Sequence, residues 1–256
     1  MRRLDSYRKT RLLLCSCLLA GGATVACREE TSGGMQSAKA NSREIPIQWS
    51  PALHLKSLAH IPERLNQPFE DTFKGVAEGK PATISSCNDY LRLSQKGFAA
   101  SNDREHAVLR LNAVDCAAVS LLQTAKPAHI TLLNNFRLTP EAMNILPPEL
   151  APAVSQEKEV DAHAADLAGE SWKTYVKDAQ ATASDVASQI LVTEPGWSTK
   201  VTEYGRADFT GDGVEDLLVR TDTAATQGTY GNTQLFILSR KSKNGRLTLE
   251  QTVSIP

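Results

Sequence analysis

The chain is poor in the residues that announce chemistry. Its 256 positions hold five histidines and five cysteines, and aromatic residues make up 5%. His54, His60, His106 and His129 show no metal-ligand spacing, and His163 has only Glu159 one helical turn before it, so a His-Glu-x-x-His zinc site is excluded. The Glu159 and His163 spacing reads as a solvated helical pair. There is no Gly-x-Ser-x-Gly elbow and no glycine-rich phosphate loop, which removes the α/β-hydrolase nucleophile and the P-loop nucleotide site. Basic residues are not interleaved with aromatics, so no nucleic-acid face is expected. A catalytic site assembled from residues distant in sequence stays open.

What is present begins with an address. Met1 to Arg11 carries Arg2, Arg3, Arg8, Lys9 and Arg11 against Asp5, and Leu12 to Ala26 is apolar or small without a charge. A basic start, an apolar stretch too short to span a bilayer, and small residues before a break describe a signal peptide over 1–26. The break, Thr24-Val25-Ala26-Cys27, resembles a bacterial lipobox. That resemblance implies that Cys27 becomes the lipidated first residue, which ties the chain to a membrane; the alternative is secretion with Cys27 unmodified. Arg28 stands where an inner-membrane retention aspartate would sit, which favours the outer membrane; its periplasmic face is the expected location, with the inner membrane and the cell surface as alternatives. Residues 27–50 are then anchor and flexible tether, a stretch that contains Ser, Gly, Ala and Lys with little periodicity. Taking the leader's five basic residues and Asp5 from the 28 basic and 29 acidic residues leaves a net charge of about −5.

Two cysteines remain, Cys87 and Cys116. An exported chain lives where disulfides persist, and two helices turning near Ala100 would bring the pair together, so a bridge is expected; two buried free thiols are the alternative.

The densest local signal is Ala207-Asp208-Phe209-Thr210-Gly211-Asp212-Gly213-Val214-Glu215-Asp216-Leu217-Leu218-Val219. Carboxylates recur at every fourth position, two glycines flank the middle one, and a buried-strand run follows. Like charges this close repel, and a hard cation with oxygen ligands removes the repulsion. Asp208, Thr210, Asp212 and Asp216 can offer side-chain oxygens and Val214 its carbonyl to Ca²⁺. An EF-hand is excluded, because its twelfth position is Val219 rather than Glu. An ion-free turn held by Asx-type hydrogen bonds is the alternative. Residues 208–219 resemble the calcium loop of FG-GAP/VCBS-type repeats of integrin-like propellers, with Thr210 where Asn or Asp is usual. The stretch occurs once, which excludes a propeller. Middle segments such as Ala125-Lys126-Pro127-Ala128 and Leu146-Pro147-Pro148 resemble those of proteobacterial lipoproteins that end in a single such loop, which implies a location and not an activity.

The remaining pattern predicts an α+β fold: one domain over 51–256, with a helical part (51–169) packed on one face of an antiparallel β-meander (170–256). Ser86 and Asn102 read as helix caps. Val108, Leu111, Val114, Ala118, Leu121, Leu122 and Ala125 line the longest helix, which Pro127 stops. A further helix over 155–168 is expected to bury Val160, Ala164 and Leu167. Leu53 and Leu55 suggest a short strand, and 61–79 reads as irregular. Short strands separated by turns, including Pro195-Gly196 and Asn244-Gly245, fill the C-terminal third. Two classes of function follow: a lipid-anchored, non-enzymatic binding protein acting on an unidentified protein or ligand of the envelope, of which an inhibitor or immunity protein is a specific form, or an envelope hydrolase with an unrecognised site.

Overall fold

The structure, a computed structural model, describes residues 44–255. The leader and Cys27 lie outside the described residues. In chain order the elements are β1 (Gln48–Trp49), α1 (Ile61–Asn66), β2 (Pro68–Ala77), β3 (Lys80–Ser86), α2 (Cys87–Ser94), β4 (Ala99–Ala100), α3 (Asp103–Thr124), α4 (Gln156–Leu167), α5 (Trp172–Tyr175), β5 (Gln180–Ala183), β6 (Gln189–Glu194), β7 (Trp197–Ala207), β8 (Asp216–Ala225), β9 (Gly231–Arg240) and β10 (Leu247–Thr252), with short 3₁₀ turns between. The fold is α+β.

Helix starts follow their caps. The Ser86 side chain accepts from the Asp89 N–H at 3.2 Å, that of Asn102 from Glu105 at 3.0 Å, and that of Ser155 from Lys158 at 3.3 Å. In the C-terminal part every successive strand is joined antiparallel, in the order β10-β9-β8-β7-β6-β5, because each connection is a short turn. β1 adds to this sheet by pairing Gln48 with Arg206 and Trp49 with Gly205. The fold therefore takes in residues assigned above to the tether. A Cβ on Gly205 would stand 2.8 Å from the Gln48 carbonyl, so this close approach requires glycine.

The expectation of helices on one face is incomplete, for the sheet is covered on both. Tyr204, Leu218, Leu235 and Ile237 meet α3 and the N-terminal elements, while Val201, Leu217, Val219, Phe236 and Leu238 meet Leu133, Phe136, Met143, Leu146 and Trp172 of the segment before β5. Runs such as Leu235-Phe236-Ile237-Leu238 carry no alternation because neither face sees water. Arg206 fastens this second cover. Its guanidinium forks onto Glu203 (2.7 and 3.0 Å), donates to the carbonyls of Leu133 and Phe136, and lies over the Phe136 ring.

Other local expectations change as well. Leu53 closes a 3₁₀ turn rather than entering a strand, although it is fully buried. Residues 61–79 form α1 and β2, and β2 joins a separate three-stranded sheet of order β3-β2-β4. In α4 the small residues Ala162 and Ala165 face inward, while Val160 and Leu167 are exposed. The second half of α3 is inserted between the sheet and the N-terminal elements and is buried nearly all round. Its first half leaves Val108 and Leu111 in solvent. Among the described residues no helix is long and apolar enough to cross a membrane.

Candidate functional site

The acidic loop is the β7–β8 connection, closed by the Ala207 and Asp216 pair. Gly211 and Gly213 both take φ near +84°, a region costly for a residue with a Cβ, and so permit the tight path. Inside it the carboxylates accept from the loop's own backbone. Asp208 Oδ1 accepts from the Gly211 N–H and Oδ2 from Gly213 at 3.0 Å. Asp212 Oδ1 accepts from Val214 at 2.9 Å. Asp216 Oδ2 accepts from the N–H groups of Phe209 and Thr210 and from the Thr210 hydroxyl, at 3.0 to 3.1 Å. The structure thus brings Thr210 onto Asp216, folds Asp208 over the two glycines and leaves Asp212 exposed. Among the described residues no three His, Cys, Asp or Glu side chains are grouped to hold a metal ion. The geometry is that of a hydrogen-bonded turn.

The donor set is nonetheless one of hard oxygens with capacity to spare, since an ionised carboxylate offers about four lone-pair sites. Asp216 is fully buried, and its Oδ1 has no hydrogen-bond partner; nor has the hydroxyl of Ser239 on β9. Burial pushes the Asp216 carboxyl up, while Ser239 and the loop donors Thr210 and Phe209 act the other way. In chemistry, though not in grouping, these residues suit a calcium ion.

The loop is also strapped from outside. Lys126 and Asp208 exchange two backbone hydrogen bonds, at 3.1 and 3.0 Å. The N–H groups of His129 and Ile130 both donate to the Gly213 carbonyl, and that of Glu215 donates to the Ile130 carbonyl. Ala128, between these contacts, exchanges two backbone bonds with Ile45. The carboxylate of Glu215, almost fully buried, accepts from the Thr131 hydroxyl. Sequence reasoning assigned Glu215 no role. The available signal was a charge at the head of a buried strand.

Cys87 and Cys116 are bridged, with Cα atoms 5.2 Å apart, tying the start of α2 to the middle of α3. Beside the bridge lies a polar network that no local pattern disclosed. Arg220 donates to Asp115, Tyr204 and Asp222; Tyr204 donates to Asp115; Thr233 donates to Asp222. Burial opposes the charge of Arg220, but its carboxylate and phenol partners more than offset that. Burial, then Asp115, holds the Tyr204 phenol above its usual range. His163 pairs with Glu149 at 3.3 Å rather than with Glu159, because Glu149 stands on the segment packed against α4.

No known family model matches the chain, and neither does any curated protein or solved structure.

Proposed function

We propose that the protein is a lipid-anchored, non-enzymatic binding protein of the bacterial periplasm, held at the outer membrane through Cys27, whose acidic loop takes a structural calcium ion. The supporting observation is the placing of that loop. It joins the β7–β8 hairpin to the chain leaving α3 and, through Ala128, to the first residues of the fold. An ion there would stiffen a junction of three segments, and two of the carboxylates it would use, Asp208 and Asp216, are turned into the turn. Asp208, Asp212 and Asp216, with Thr210 and the Val214 carbonyl, would hold it. The ion would supply the positive charge that three clustered carboxylates lack. An inhibitor or immunity protein facing a secreted toxin is one specific form of this reading, in keeping with the anchor and the acidic mature chain.

The test is thermal unfolding of the chain in excess chelator and in millimolar calcium. At one hundred times the dissociation constant, binding adds ~2.7 kcal/mol, or ~5–10 °C for a domain of this size. Asp212→Ala is expected to abolish that difference and leave a folded protein. Equal melting temperatures for the wild type in the two conditions would reduce the loop to a turn. For the anchor, labelled palmitate is expected in the wild type and not in Cys27→Ser; equal labelling overturns it.

A further inference from the structure

The first half of α3 carries apolar residues on both sides, yet only one side is covered. Leu109 packs into the core, whereas Val108 and Leu111 are 38% and 46% exposed on the opposite side. The two exposed side chains form a ridge with a cleft on each flank. One cleft, about 430 Å³, lies against β2 and includes Glu70 and Asp71; the other, about 510 Å³, lies against the sheet and includes Arg110, Lys200 and Leu191.

The charges of the two flanks are unlike. Glu70, Asp71 and Lys200 are exposed, and none of them has an ion-pair partner among the described residues. The remaining carboxylates of the clefts are already engaged: Asp115 by Arg220 and Tyr204, Asp222 by Arg220 and Thr233. Arg64, on the acidic flank, donates its Nε–H to the Leu53 carbonyl. An apolar ridge between one acidic and one basic wall is self-complementary under one kind of two-fold rotation. An axis running along α3 exchanges the flanks, so the acidic wall of each copy meets the basic wall of the other. An axis across α3 sets acid on acid and base on base, which repels.

We propose that this face is a homodimer interface, with the α3 helices side by side and parallel, Val108 and Leu111 at the axis, and Glu70 and Asp71 of each protomer opposite Arg110 and Lys200 of its partner. The ridge supplies the dry centre and the charged walls set orientation, the usual division of labour at interfaces.

The test is oxidative cross-linking of the full chain. Leu111→Cys places a thiol at the axis, and Val160→Cys on the exposed face of α4 is the control; Cys15, Cys17 and Cys27 are common to both chains, so their background cancels. Leu111→Cys is expected to give a disulfide-linked species of twice the chain mass at least about fivefold above the control. Adding Lys200→Glu is expected to lower that yield several-fold, and the full exchange of the walls, Arg110→Glu and Lys200→Glu together with Glu70→Lys and Asp71→Lys, is expected to restore it. Dimer no greater than the control overturns the proposal, as does indifference to Lys200→Glu, failure of the combined charge exchange to restore the yield, or an adduct of any other mass.

Discussion

Glu194 at the end of β6 offers the sharpest test of the energetics. It is partly buried, and its Oε1 has no hydrogen-bond partner. Burial pushes its carboxyl up to about 7; the Trp172 indole N–H favours the ionised form but stands outside hydrogen-bond geometry. In the unfolded chain the same group titrates near 4.5. Between these values folding takes up a proton, so the stability tied to the neutral form is fully present below about 4.5 and is lost as pH rises through about 7. The full interval corresponds to ~3 kcal/mol, and solvent screening of a side chain this exposed reduces that to ~1–2 kcal/mol. Glu194→Gln keeps the shape and removes the charge. In urea unfolding at pH 4 and pH 8, the variant is expected to match the wild type closely at the lower pH and to exceed it by ~1–2 kcal/mol at the higher. Burial also raises the carboxyls of Glu149 and Asp216, but both are common to the two proteins, so the difference isolates Glu194. A stability difference that does not change with pH would refute the reasoning.

Replacing both Cys87 and Cys116 by Ala frees a loop with a sequence separation of 29 and is expected to cost ~3–4 kcal/mol in chemical denaturation. Arg206→Ala is expected to cost ~3–5 kcal/mol, because it leaves the Glu203 carboxylate without its forked partner and unties the second cover. Arg206→Lys recovers only part of this, since an ammonium cannot fork onto a carboxylate and reach two carbonyls. Amide hydrogen exchange that speeds up in residues 131–146 before the sheet opens would confirm the fastening; uniform loosening would not.

The local chemistry of the chain determined a good deal unaided. Ser86 and Asn102 set helix starts because a short side-chain oxygen suits an orphan N–H wherever the helix goes. Turn residues cut the C-terminal third into strands that could only pair in succession, and the acidic run could only be a hairpin connection once Gly211 and Gly213 permitted its turn. The pairing of Cys87 with Cys116 was read by setting Cys15, Cys17 and Cys27 aside as leader and anchor residues, which left one pair. Tertiary structure decided the rest, because those contacts join residues far apart in the chain. Arg206 reaches carbonyls 73 and 70 positions away, and Arg220 meets Asp115 across 105. Periodicity also fails where surroundings are uniform: Leu235 to Leu238 show no alternation when both faces are dry, and the apolar residues of α3 circle the helix. Which of them reach solvent depended on where the sheet stops covering it, and Val108 and Leu111 lie beyond that edge.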